Sequence, residues 1–149
     1  MIYNRTISDV RYAEEIRRNK VQKGIALTDA EKSALERGTL SLSTINRIEL
    51  KQEELANILN DMGYTVQCVN HIWDDAGIFK ESDFGRVVDN NAKLRKAFYV
   101  YKNTPADAVP IYRYDQINAL EHILHDLEEM INYTKSHYRR CGKYRCGEG

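Results

Sequence analysis

The fold is decided by residues 114–138, whose sequence is YDQINALEHILHDLEEMINYTKSHY. Apolar and small side chains recur there at alternating steps of three and four, which is the spacing of one face of an α-helix. This seam consists of Ile117, Leu120, Leu124, Leu127, Ile131, Thr134 and Tyr138. Ile123 and Met130 widen the stripe beyond the minimum that a two-stranded coiled coil needs. The pattern predicts a long helix over residues 115–138 that packs within a bundle, and a seam that contacts other molecules is the alternative.

A second amphipathic helix is predicted before this one. Its apolar positions are Phe84, Val87, Val88, Leu94, Phe98 and Tyr101, and Ser82 is the expected N-cap. A loop that contains Pro105 follows, and short connections place sequential helices side by side. Residues 83–138 are therefore expected to form an antiparallel helical hairpin.

Three shorter helices are predicted in residues 1–63. Thr6 or Ser8 can cap the first, and Thr28 with Glu31 forms a capping box for the second, which stops at Gly38. Ser43 is expected to open the third, which Gly63 ends. Its inward positions are Ile45, Ile48, Leu55, Ile58, Leu59 and Met62, with Gln52 interrupting them.

The segments between and after these helices are expected to be extended. Residues 64–73 alternate and are rich in β-branched side chains, which predicts a short strand, a hairpin or an extended link. The fold class is thus mainly α, with five helices. We divide the chain into an N-terminal helical half (1–63), a link (64–81), the hairpin (82–138) and an extended tail (139–149).

Composition restricts the class of protein. The chain has 149 residues, 42% hydrophobic and 30% charged, which fits one compact domain or two small subdomains. The 22 basic and 22 acidic residues cancel, so no overall field attracts nucleic acid or an anionic membrane. The start of the sequence has no secretory signal pattern, and no apolar run approaches the roughly 20 residues of a membrane span. We expect synthesis in the cytoplasm and no membrane partner.

Several groups of residues could carry chemistry, and each has a simpler interpretation. His122 and His125 have a metal-binding spacing, but both are expected on the solvated face of the last helix. Asp74 and Asp75 are more typical of a turn than of a catalytic pair. The remaining set could form a mixed zinc site, although free thiols are the simpler interpretation; it consists of Cys68, His71, His137, Cys141 and Cys146. We predict no catalytic, cofactor or metal site.

The C-terminal tail is the strongest candidate for contact with a partner. It repeats Arg-Cys-Gly and mixes basic with aromatic side chains, and its candidate contact residues are Tyr138, Cys141, Lys143, Tyr144, Arg145 and Cys146. An extended tail can pair with an exposed strand edge of another chain. Basic and aromatic residues can also hold phosphates and stack on bases, so nucleic-acid binding is the alternative function.

Several motifs resemble one family across nearly the whole chain. In the first half these are residues 3–6, 8–10, 44–49 and 63–64, with Trp73. In the second half they are residues 83–101, the Thr104-Pro105 loop, residues 114–131 and the terminal Gly-Glu segment. Together they are similar to small virion-associated proteins encoded by phages and prophages of Gram-positive bacteria.

The resemblance implies a non-enzymatic structural or accessory part of a phage particle, associated with its tail or baseplate. Its partners would be other phage structural proteins and further copies of the same chain. The protein would then pass from the host cytoplasm into the particle.

Overall fold

The computed structural model describes residues 1–74 and 77–141, with the backbone alone for residues 138–141. Five α-helices follow one another: α1 (Ile7–Asn19), α2 (Asp29–Gly38), α3 (Leu42–Asp61), α4 (Glu81–Ala97) and α5 (Tyr114–Cys141). A single 3₁₀ turn, Val21–Lys23, follows α1. The predicted mainly helical fold is confirmed.

The seam of α5 forms the centre of the core. Ile117, Leu120, Leu124, Leu127 and Ile131 are at most 5% exposed. They pack in one cluster with apolar residues of α3 and α4. The seam is therefore an intramolecular core as far as Ile131, because its apolar surface is already covered within the chain.

The helices pack in two groups. Each of α3, α4 and α5 packs against the other two, while α1 packs against α2. Helices α1 and α2 are in close contact at Gly38, where an added Cβ would lie 2.2 Å from the carbonyl oxygen of Asp9 and 2.4 Å from Cβ of Ala13. Gly38 therefore does more than end α2, since its missing side chain permits this contact.

Residues 64–74 contain no strand. Of the predicted alternatives, this described part of the connection is an extended link. Asparagine side chains from the helices take the place of a partner strand. In what we call an asparagine clamp, the amide accepts from the N–H and donates to the C=O of one extended residue. Asn46 clamps Trp73, Asn60 clamps Val66 and Asn90 clamps Val69, at 2.8–3.2 Å. The helices thus satisfy backbone groups that a strand would have paired.

Some helix ends differ from the prediction. Ser41, not Ser43, caps α3. Ser82 lies inside the first turn of α4, which begins one residue earlier, and Asp83 accepts the backbone N–H of Lys80 at 2.9 Å. Helix α4 ends at Ala97 because Phe98 turns to extended backbone, where its ring packs edge-on against Tyr64.

The C-terminal end of α5 also differs. The helix continues to Cys141, so residues 139–141 belong to α5 and not to an extended tail.

Candidate functional site

The tail residues predicted to contact a partner lie largely outside the described structure. Tyr138 and Cys141 belong to the last turn of α5, where only the backbone is described. Lys143, Tyr144, Arg145 and Cys146 lie outside the described residues. Their role as an assembly contact, and the alternative of nucleic-acid binding, therefore remain predictions.

A buried ionic centre holds the link against α3 and α4. Glu49 accepts hydrogen bonds from Arg86 at 2.7 and 2.8 Å, from the indole N–H of Trp73 at 3.0 Å and from the backbone of His71 at 2.6 Å. Burial alone would raise the pKa of Glu49, but these donors outweigh it and the pKa is lowered. Glu49 is therefore an anion that fixes the link, with its oxygens already occupied.

A second buried centre joins the N-terminus to α3 and α5. Glu121 is fully buried and accepts from Arg5 Nη1 at 2.5 Å, from Arg47 Nη2 at 2.7 Å and from the N–H of Ile2 at 3.2 Å. A fourth asparagine clamp, between Asn118 and Arg5, holds the backbone there at 2.9 and 3.1 Å. The N-terminal segment is thus an integral part of the bundle.

A cleft of about 610 Å³ lies next to this second centre, between α1, the α2–α3 connection and the start of α5. Its apolar and aromatic lining consists of Ile7, Val10, Leu40, Tyr112, Tyr114 and Ile117. Arg5 and Arg113 also line it. Arg113 is paired with Asp115 at 3.0 Å, while Nε and Nη2 of Arg5 are buried without a hydrogen-bond partner. The cleft has the size and lining of a small-ligand site.

The histidines of α5 are less solvated than the sequence suggested. The ring of Tyr3 stacks on His122 at 4.6 Å and on His125 at 5.0 Å, so both imidazoles are half-buried. Nε2 of His122 lies 3.5 Å from Asp126, and that of His125 lies 3.6 Å from Glu129. Both histidines lie on the outward face of α5 as predicted, but the N-terminal segment folds over that face and leaves their side chains only 31% and 34% exposed.

These side chains include a possible set of metal ligands. His125, Asp126 and Glu129 each offer one ligand atom, and these atoms lie within 4.8 Å of one another. All three come from consecutive turns of one helix. Glu129 is exposed, and Asp126 already accepts a hydrogen bond from the hydroxyl of Thr104. We assign no metal to this group.

Of the five residues considered for a zinc site, the side chains of Cys68, His71 and His137 are described and lie in different surroundings. Cys68 is half-buried and free, and burial raises the pKa of its thiol. The ring of His71 packs edge-on against Trp73, while His137 lies at the exposed end of α5 against Tyr133. The backbone carbonyl oxygen of Asp74 accepts a hydrogen bond from the N–H of Gly77 at 3.0 Å, as expected for a turn. Asp75 lies outside the described residues.

The two long connections direct apolar side chains to solvent. On the link, Val69, Ile72 and Ile78 are 63%, 70% and 78% exposed. The connection between α4 and α5 exposes Tyr99 and Ile111. Because the Glu49 centre and two clamps fix the backbone of residues 69–73, the link presents Val69 and Ile72 from a defined position.

The motifs that carry the family resemblance form structural contacts. Asn46, Arg47 and Glu49, from the motif at residues 44–49, bind Trp73, Glu121 and Arg86 respectively. From the N-terminal motif, Tyr3 covers the histidines and Arg5 binds Glu121. The motifs thus position segments relative to one another.

The sequence analysis did not identify Glu49 of α3 or Glu121 of α5, the two carboxylates that organise these centres, and it missed Asn91 of α4. All three are buried, as is Gln52, which the sequence marks as an interruption of the apolar face of α3. Each of these residues lies at or beside an apolar position of its helix, and a polar residue at such a position is the feature of the sequence that could have identified it. A charged or amide side chain there needs a buried partner, so such positions mark polar networks.

Comparison with models of known protein families, with characterised proteins and with solved structures finds no match for this chain. Within the described residues, no helix is both long and apolar enough to cross a membrane.

Proposed function

We propose that this protein is a non-enzymatic structural or accessory component of a phage or prophage particle, associated with the tail or baseplate. The resemblance of its motifs to small virion-associated proteins motivates the proposal. The observation that carries it is the fixed backbone of residues 69–73 with the exposed Val69 and Ile72, next to which Ile78 is also exposed along the chain. A protein that acts through assembly needs apolar surface held in a defined position, and such surface commonly marks a protein interface.

The polar centres are consistent with this role. Glu49 and Glu121 have their carboxylate oxygens engaged by donors from two or more segments. Groups engaged in this way hold a scaffold together and are not available to transfer protons to a substrate. Modest contacts from such a scaffold add up when many copies are arranged in one particle.

The proposal is tested in purified particles after prophage induction. Mass spectrometry and immunogold labelling should find the protein in the particle. Its absence from particles, while it is present in the cell, would overturn the proposal.

Variants of the link test the surface. Ile72→Lys combined with Ile78→Lys should leave folding unchanged, since both side chains are mostly exposed, but should reduce incorporation into particles. Ile25→Lys changes an exposed isoleucine of the α1–α2 connection and serves as the matched control. If the double variant and the Ile25→Lys control were incorporated equally, the link would not be part of the assembly interface.

Nucleic-acid binding by the tail is the competing function. It predicts a salt-dependent gel shift that disappears when Arg139, Arg140, Lys143 and Arg145 are changed to alanine. No shift at low salt would exclude it.

A further inference from the structure

The guanidinium group of Arg5 is used on one side only. Nη1 donates to the carbonyl of Ile2, to Oδ1 of Asn118 and to Oε2 of Glu121. Nε and Nη2 are buried and have no partner. A buried N–H without an acceptor is rare in proteins and often indicates a missing water, ion or ligand.

The two free nitrogens form one edge of the guanidinium. Nε–H and one N–H of Nη2 point in the same direction, which matches the two oxygens of a carboxylate. Arg47 shows how this edge is used in the same protein. Its Nε and Nη2 both donate to Oε1 of Glu121, at 3.2 and 2.7 Å.

The carboxylates near Arg5 accept from other nitrogens and leave Nε and Nη2 of Arg5 without an acceptor. Glu121 is the carboxylate that faces both Arg5 and Arg47. The other acidic partner of Arg47 is Glu36, whose side chain is 46% exposed. Arg47 is itself 29% exposed and is paired with Glu36 as well as with Glu121, so the two guanidinium groups already face two carboxylates.

The cleft beside Arg5 specifies the rest of the ligand. Four aliphatic side chains and two tyrosines line it, and its volume of about 610 Å³ suits a small organic molecule. A hydrated ion such as phosphate would leave this apolar lining unused.

We propose that the cleft binds a small organic carboxylate, whose apolar body packs against Ile7, Leu40 and Ile117 and whose carboxylate accepts hydrogen bonds from Nε and Nη2 of Arg5. Arg5 lines the cleft but its Nε and Nη2 are closed to solvent, so the proposal requires the guanidinium group to turn toward the cleft as the carboxylate binds. The proposal does not depend on the assembly function.

The test is an NMR titration of the isotope-labelled full chain with phenylacetate. We expect saturable shifts of the Arg5 Nε–H signal and of backbone signals around the cleft. Phenylacetamide has the same shape without the charge and should bind about tenfold more weakly, since charge-assisted hydrogen bonds are the stronger kind. Inorganic phosphate should bind more weakly than phenylacetate.

A pair of variants on α1 locates the site. Ile7→Glu places a carboxylate at the cleft and should abolish phenylacetate binding. Tyr12→Glu makes a comparable change at an exposed position of α1 away from the cleft lining and should leave binding unchanged. Neither variant removes Arg5, so both test the site without breaking the buried ion pair.

Three results would overturn the proposal. The first is the absence of saturable shifts with phenylacetate, for example because only an ordered water occupies the edge of Arg5. The second is phosphate binding as tightly as phenylacetate, which indicates a general anion site. The third is equal binding by the Ile7→Glu and Tyr12→Glu variants.

Discussion

Arg5 and Glu121 form an ion pair of 2.5 Å in which both side chains are at most 2% exposed. The pair joins residues 116 positions apart and fixes the N-terminal segment to the first half of α5. Charges buried in this way are stable only while they remain paired, because each has lost its hydration.

The first prediction concerns the loss of this charge. Glu121→Gln leaves the guanidinium of Arg5 buried beside a neutral amide and should lower the free energy of unfolding by about 3–5 kcal/mol. Urea denaturation followed by circular dichroism measures the change. Glu128→Gln, at a partly exposed partner of Lys51 on the same helix, should change stability by less than about 1 kcal/mol. Equal effects of the two variants would contradict the importance of the buried pair.

The second prediction concerns an asparagine clamp. Asn46→Ala removes both hydrogen bonds to the backbone of Trp73 and should destabilise the protein by about 2 kcal/mol. The fluorescence of Trp73 should also shift to the red as the link loosens. Asn57→Ala changes an exposed asparagine of the same helix and is the control. If the fluorescence of Trp73 shifted no more in Asn46→Ala than in Asn57→Ala, the clamp would not hold the link.

The third prediction uses two glycines. Gly38→Ala forces α1 and α2 apart where Gly38 contacts Asp9 and Ala13, and should lower the free energy of unfolding by about 1–3 kcal/mol. Gly85→Ala on α4 meets nothing within 4 Å and should stabilise the protein by up to about 1 kcal/mol, because alanine favours a helix. Thermal unfolding of both variants gives the comparison. If Gly38→Ala were as stable as the wild type, α1 and α2 would not pack as described.

The fourth prediction concerns acid. The pKa of Glu49 is lower in the folded protein than its ordinary value of 4.5, so the unfolded chain binds a proton first as the pH falls. The stability that Glu49 contributes is thus complete above about pH 4.5 and is lost as the pH falls through the lower folded pKa. Denaturation between neutral and acidic pH measures this loss.

Two variants distinguish the contribution of Glu49 to this pH dependence from that of the other acidic residues. Glu49→Gln should be less stable than the wild type at neutral pH by about 2–3 kcal/mol, because Arg86 loses its buried anionic partner. The difference from the wild type should shrink in acid. Glu53→Gln, at an exposed position of the same helix, should follow the wild-type curve. A constant difference between Glu49→Gln and the wild type at every pH would contradict the role of this carboxylate.

Much of the fold was predictable from particular local patterns. The spacing of Ile117 to Ile131 predicted α5 and its buried face, and the capping box at Thr28 predicted the start of α2. For α1 the sequence offered Thr6 or Ser8, and the structure has Thr6 as the N-cap. Gly63 has a φ of 92°, as the predicted end of α3 requires. The helical pattern failed at Phe98, whose apolar side chain remained in the core although the backbone had already left the helix.

The candidate sites were much less predictable. The lining of the cleft comes from three stretches that are far apart in the sequence. They contribute Arg5 and Ile7, Leu40, and Tyr112 and Ile117 respectively. His122 was expected to face solvent because nothing in its own helix shows that Tyr3 covers it. The proposed tail contacts depend on residues beyond the described helix, so the sequence remains their basis.

The sequence by itself determined which segments are helical, where α2 begins and which face of α5 is buried. Each of these depends on residues within one or two turns of one another. The tertiary structure alone decided that asparagines clamp the link, that Glu121 pairs with both Arg5 and Arg47, and that one edge of Arg5 has no partner. A buried polar group requires a partner but does not specify which one, and packing brings together partners that lie far apart in the sequence.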